Sequence, residues 1–144
     1  MIELVEDRLD IDTYLELRQS VQFRELTRDQ AEKGLSNSLY TLVAFKDGKA
    51  VGMGRIVGDG AIICYVQDLT IRPEGQGEGI GGLILETLKK FVIQEGYEGT
   101  TMMFDLMCAK GREEFYKKHG FIARPTKDLG PGMIQFIQIG SDEQ

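Results

Sequence analysis

The sequence predicts a single α/β (α+β) domain built on a mixed, mostly antiparallel sheet of about six to seven strands flanked by about four helices. Three observations carry this. Three β-rich runs follow one another with only turns between them, a glycine-rich loop then opens an amphipathic helix, and another β-rich run follows that helix. Consecutive strands joined by short turns pair antiparallel, whereas strand, helix, strand implies a right-handed parallel unit. At 144 residues the chain fits one domain, able to bury roughly two-thirds of the surface its unfolded form exposes.

Residues 2–5 form a short strand, after which Asp10 or Asp12 caps a helix through Tyr14, Leu15, Leu17, Arg18 and Val21. Thr27-Arg28-Asp29-Gln30 has the form of a capping box and starts a second helix that ends near Gly34 to Asn37. Residues 39–45 and 50–57 are strands joined through Asp47-Gly48, the strongest short hairpin signal in the chain. Gly58-Asp59-Gly60 turns into a strand over 61–71 that stops at Pro73. A helix over 79–95 presents Ile80, Leu83, Ile84, Thr87, Leu88 and Phe91 on one face and ends at Gly96. Then come a strand over 100–107, a helix over 109–119 closed by Gly120, and strands over 121–123 and 133–139.

The stretch Gln76-Gly77-Glu78-Gly79-Ile80-Gly81-Gly82 leads from strand to helix. The first amides of a helix lack internal partners and carry the positive end of the dipole, so an anion docks there. Glycines remove the Cβ atoms that would hold a phosphate oxygen away and allow a positive φ. The string Gly77-x-Gly79-x-x-Gly82 also satisfies the dinucleotide fingerprint. That reading needs an acidic residue about 20 positions on, at the end of the next strand. Asp105 is near that distance but inside the apolar run 102–107, and the meander before the loop argues against a dinucleotide fold.

Gln76-Gly77-Glu78-Gly79-Ile80-Gly81 resembles the Gln/Arg-x-x-Gly-x-Gly signature of the GNAT superfamily of acetyl-CoA-dependent N-acetyltransferases. Glu113-Glu114-Phe115-Tyr116-Lys117-Lys118-His119-Gly120-Phe121 resembles that family's helix-ending segment, and the two together cover residues 40–140 in the right order. The resemblance implies a parallel strand pair that splays apart, with the pantetheine arm of acetyl-CoA in the opening. The cofactor would meet Leu69, Thr70 and Ile71 on the first strand, the amides of Gln76, Gly77, Glu78, Gly79, Ile80, Gly81 and Gly82 at the pyrophosphate, and Phe115. Tyr116 occupies the family's general-acid position, and Asp68 is the candidate base. Phe23 and Arg24 border the acceptor site, with Gln67 and Arg112 as further acceptor contacts. The Gln67-Asp68 pair resembles the Glu-Asp pair of glucosamine-phosphate acetyltransferases, with an amide in place of the first carboxylate. Ala109 replaces an asparagine common in the family, and Arg112 replaces a small residue.

Seventeen basic against 23 acidic residues give a net charge of -6. With no basic stripe, nucleic acid and anionic membranes are disfavoured as partners, and a cationic small-molecule amine is compatible. The N-terminus lacks the basic start and apolar run of a signal peptide, and no stretch approaches the roughly 20 apolar residues of a membrane span, so a cytoplasmic address is expected. Cys64 and Cys108 are too few and too far apart for a metal site or a disulfide framework, and both are expected to pack in strands. The Gly130-Pro131-Gly132 loop is of the kind that lines an acceptor pocket or a subunit contact, which admits a homodimer. The expected activity is acetyl transfer from acetyl-CoA to a primary amine by direct attack. Two alternatives stand beside it: a non-catalytic acyl-CoA-binding module, and a nucleotide-binding oxidoreductase.

Overall fold

The computed structural model describes residues 1–140. They form two compact units, one over Met1–Met107 and one from Cys108 onward. The first holds β1 (Ile2–Glu6), α1 (Ile11–Ser20), α2 (Arg28–Ser36), β2 (Tyr40–Lys46), β3 (Lys49–Gly58), β4 (Ile63–Ile71), a 3-10 turn (Pro73–Gly75), α3 (Ile80–Glu95) and β5 (Met103–Asp105). The second holds α4 (Glu113–Lys118). The sheet runs β1-β2-β3-β4-β5, antiparallel throughout except for the parallel pair of β4 and β5. This is the mixed α/β class that the sequence predicts.

The local signals explain the elements. Asp10 caps α1 by accepting from the Thr13 amide at 2.8 Å. Thr27 and Gln30 complete both halves of a capping box on α2. In the β2–β3 hairpin Asp47 and Gly48 take φ of 51° and 81°, the left-handed pair whose twist matches the flanking strands. The Asp59 carboxylate accepts from the amides of Ala61, Ile62 and Ile63, which holds a turn where two more strand residues were expected and starts β4 at Ile63.

Alternation along β3 sends Met53 to one face and Gly52 and Gly54 to the other. Met53 packs with Val43 beneath Tyr14 and Leu17 of α1 and Ala31 of α2. On the opposite face α3 lies close, because a Cβ on Gly54 would stand 3.0 Å from Ile84 Cγ2 and 3.1 Å from Leu88 Cδ1. Ile80, Ile84, Leu85, Leu88 and Val92 of α3 are buried, each contributing about 1.5–3 kcal/mol through the surface it removes from water. Phe91 stacks on Tyr40 at 4.4 Å. Leu83 is half exposed, so the buried stripe runs through Leu85 instead.

Among the described residues the sheet has five strands rather than six or seven. Residues 121–123 and 133–139 are not in strands, and β5 keeps three residues of the expected eight. The helix expected over 109–119 contracts to α4. Apolar, β-branched composition favours a pleated surface but does not create one, since a strand is defined by a hydrogen-bonded neighbour. In the second unit Thr126 and Leu129 instead close a turn, and Arg124 Nε donates to the Gly130 carbonyl, tying back the Gly130-Pro131-Gly132 loop. Cys64 is buried in β4 as expected, whereas Cys108 is exposed and outside any strand. Among the described residues no helix is long and apolar enough to cross a membrane.

Candidate active site

The loop after β4 has the shape an anion site requires. Gly77 and Gly79 take φ of 84° and 80°, and a Cβ on either would meet nothing within 4 Å. The backbone conformation therefore calls for glycine, and the space outside it is open. Gly79 caps α3 with no side chain, and the first turn carries no acidic residue. The first intrahelical bond is that of the Leu83 amide to Gly79 O at 3.2 Å. The amides of Ile80, Gly81 and Gly82 thus precede the ladder. The side chain of Gln76 turns back to donate to Ile71 O at 2.9 Å, and Glu78 pairs with Lys46 at 2.6 Å. Ile80 sends its side chain into the core, so only its amide is available to a ligand.

β4 and β5 pair at Ile63↔Met103, Cys64↔Phe104 and Tyr65↔Asp105, and there the pairing ends. From Val66 to Ile71 the β5-side edge of β4 has no strand partner among the described residues; this is the stretch, with Leu69, Thr70 and Ile71, where the family resemblance implies the cofactor arm. The register against β3 shifts between Met53 and Arg55, where two steps on β3 face three on β4. The extra residue is a β-bulge, with Asp68 in the left-handed region at φ 58°. Leu69 points to the α3 side, 3.6 Å from a Cβ built on Gly54. Thr70 is buried, and its Oγ1 has no hydrogen-bond partner among the described residues.

The bulge also puts Gln67 and Asp68 on the same face, toward α1, where plain alternation would have separated them. Asp68 Oδ2 accepts from Tyr14 Oη at 2.5 Å and Arg55 Nε at 3.0 Å, and Oδ1 from Arg18 Nη1 at 2.6 Å. Gln67 Nε2 stands 3.5 Å from Asp68 Oδ1. The Asp68 side chain is 2% exposed, and those of Arg18 and Arg55 are 11% and 12%. Both carboxylate oxygens are occupied by strong donors, the environment of an anchor rather than of a group waiting for a proton. Arg55 reaches on to Gly34 O and Ser38 Oγ at the end of α2, and Arg72 pairs with Glu16 of α1. Burial, and then the Asp68 charge, push the Tyr14 phenol up. Tyr14, Arg18 and Arg55 were not among the sequence candidates. Tyr14 and Arg18 stand four apart on one helix face, but nothing local says what that face meets.

Arg18 Nη2 also donates to Arg24 O at 2.8 Å, and its guanidinium lies 5.3 Å from the Phe23 ring. With Leu15, Gln22 and Leu26 these residues line a cleft of about 520 Å³ at the C-terminal end of α1. Phe23 and Arg24, expected at the acceptor site, are therefore brought together at a concave surface.

In the second unit Arg112 precedes α4, with its guanidinium 4.8 Å from the Phe115 ring. Its amide bonds Ala109 O at 3.0 Å. Tyr116 packs edge-on against Phe115 and Phe121 at 5.0 and 5.8 Å. Burial, and then the charge of Cys108, push its phenol up, with Arg112 opposing, so it holds its proton at neutral pH.

Comparison with known proteins agrees with this geometry. The model of the acetyltransferase (GNAT) domain matches residues 37–123, more than half the chain. Among curated proteins the chain is 29% identical over 80 residues to GCN5-related N-acetyltransferase 2, chloroplastic, of Arabidopsis thaliana, covering 56% of this chain and 30% of that one. The chain spans about a third of the length of the curated relatives it matches first. Among solved structures it is similar to a protein of meticillin-resistant Staphylococcus aureus described as a probable acetyltransferase. That likeness has 29% identity and a TM-score of 0.82, over 95% of this chain and 100% of that one. It is also similar to a GNAT family acetyltransferase of Streptococcus pneumoniae, at 28% identity and a TM-score of 0.79, over 96% and 99%. With its open strand edge feeding a glycine-capped helix and more than half its length matched by the domain model, this chain belongs to the GNAT acetyltransferase family.

Proposed function

We propose that this protein transfers the acetyl group of acetyl-CoA to the nitrogen of a small primary amine within a ternary complex. The observation that carries the reading is the edge of β4, unpaired on its β5 side beyond Tyr65, followed through the glycine loop by an α3 N-terminus that no side chain caps. The pyrophosphate would sit on the amides from Gln76 to Gly82, and the pantetheine amides would bond the backbone of Leu69 and Ile71 as an added strand, displacing the Gln76 side chain from Ile71 O where they need that carbonyl. A main-chain donor in that edge, aimed at the thioester oxygen, would stabilise the oxyanion; such donors are worth on the order of 3 kcal/mol. The acceptor ammonium, of pKa near 10, must first lose a proton. Its nitrogen then attacks the thioester carbon, the C–N bond forms and the C–S bond breaks; the departing thiolate takes a proton, a role the family resemblance assigns to the Tyr116 phenol, and the second N–H proton of the attacking nitrogen restores that phenol. Asp68 holds Tyr14, Arg18 and Arg55 in place over the opening, and the cleft at Phe23 and Arg24 receives the rest of the acceptor.

The alternative of an acyl-CoA-binding module without turnover shares the loop and differs only in chemistry, and thiol release with a panel of amines separates the two. The test of the site itself is a thermal-shift comparison of CoA with a nicotinamide dinucleotide. A ligand at a hundred times its Kd stabilises by about 2.7 kcal/mol. CoA is expected to stabilise the wild type, the dinucleotide to have no effect, and Gly79→Asp to lose the CoA response because a carboxylate then stands where the diphosphate belongs. No response to CoA, or an equal one in Gly79→Asp, refutes the assignment.

A further inference from the structure

Asp105 is the other carboxylate near the opening, and its surroundings are the reverse of those of Asp68. It is the last β5 residue to pair with β4, opposite Tyr65, and so stands where the two strands part. In-register neighbours on adjacent strands point to one face. Tyr65 is two residues before Gln67, which meets Asp68 on the α1 side, and the Tyr65 phenol feels the charges of both Asp105 and Asp68. Asp105 therefore shares the α1 face with Tyr65, Gln67 and Asp68.

Its Oδ1 is shielded from water and yet has no hydrogen-bond partner among the described residues. An unpaired buried acceptor opposes folding, so its presence calls for a reason. The direction of the cofactor supplies one. The phosphates would sit beyond the C-terminal end of β4, so the pantetheine arm must run back along the strand toward its closed end, bringing the thioester toward Tyr65 and Asp105.

We propose that the Asp105 carboxylate receives the acceptor ammonium at the closed end of the opening and removes its proton before attack. The inference rests on the acetyl-transfer reading above. The step balances as R–NH3⁺ plus carboxylate giving R–NH2 plus carboxylic acid; the free amine then forms the C–N bond and the proton leaves to solvent after product departs. Burial pushes the Asp105 carboxyl above the usual range, which narrows its gap from the ammonium and makes the transfer less uphill.

The test compares wild type with Asp105→Asn and Asp105→Glu, using acetyl-CoA with spermidine, glucosamine and 2-phenylethylamine as acceptors. Asp105→Asn should bind CoA as the wild type does and lose about 100-fold in kcat/KM at pH 7. That deficit should shrink toward pH 10, where the amine arrives already deprotonated. Its melting temperature should be unchanged or higher, because the amide removes an unpaired buried charge, and Asp105→Glu should recover part of the rate. A residue that only supports the fold would lower melting temperature and rate together at every pH. Full turnover in Asp105→Asn, or a deficit that does not change with pH, overturns this inference alone. A wild type that ignores CoA, or that releases no thiol with any of the three amines, overturns the acetyl-transfer reading and this one with it.

Discussion

Removal of the Asp68 carboxylate should be among the costliest single changes in the first unit. Asp68→Ala leaves Arg18 and Arg55 facing one another, 11% and 12% exposed, with the anion between them gone. It also strands the Tyr14 hydroxyl. Breaking a buried ion pair by deleting one partner costs about 3–5 kcal/mol. Alanine at the left-handed φ of 58° adds about 1 kcal/mol, where asparagine is tolerated. Against a domain stability of about 5–15 kcal/mol, Asp68→Ala should lower the melting temperature by roughly 13–20 °C. Asp68→Asn retains an acceptor and the backbone conformation, and should lose about 1–3 kcal/mol. Urea unfolding followed by circular dichroism reads both. A loss below about 1 kcal/mol in the alanine variant, or equal losses in the two, would refute the claim that this carboxylate anchors α1 to the bulge.

Tyr116→Phe should reduce turnover by about 100-fold while leaving CoA affinity unchanged by calorimetry; unaltered kcat would remove the acid assignment. Gly54→Ala should cost about 1–3 kcal/mol through overpacking, since its Cβ would stand 3.0 Å from Ile84 Cγ2, and a neutral result would show that α3 can shift at no cost. The folded Asp105 carboxyl lies above its unfolded value of about 3.9. Between those two values the folded state binds the extra proton, so this group makes stability fall as pH rises through the window and rise as pH drops through it. Unfolding curves of wild type minus Asp105→Asn across pH 3–8 should carry that slope, and a slope of opposite sign would contradict the burial of the group.

Much of the site was legible because its signals are local. The caps at Asp10 and Thr27, the Asp47-Gly48 turn and the loop through Gly77 and Gly79 each depend on atoms within about four residues of one another, which is the reach of hydrogen bonds closed by a single turn. The five strands and three of the helices of the first unit follow from the same short-range grammar. Tyr116 and Phe115 were found by their match to a family segment rather than by any spacing of their own.

Whether Asp68 is a base or an anchor could not be read in the same way. That depends on Tyr14 and Arg18, 54 and 50 positions away, and on a bulge that exists only when β3 and β4 are paired with unequal steps. Alternation would have split Gln67 from Asp68; the extra residue joined them. The point at which β4 and β5 part, and with it the placing of Asp105 at the closed end, is likewise set by pairing across a helix. The sequence by itself determined the turns, caps and glycine loop, because these are settled between near neighbours. Only the tertiary structure decided which carboxylate is tied by distant donors and which is not, because that is settled by whichever donors the packed sheet brings within 3 Å.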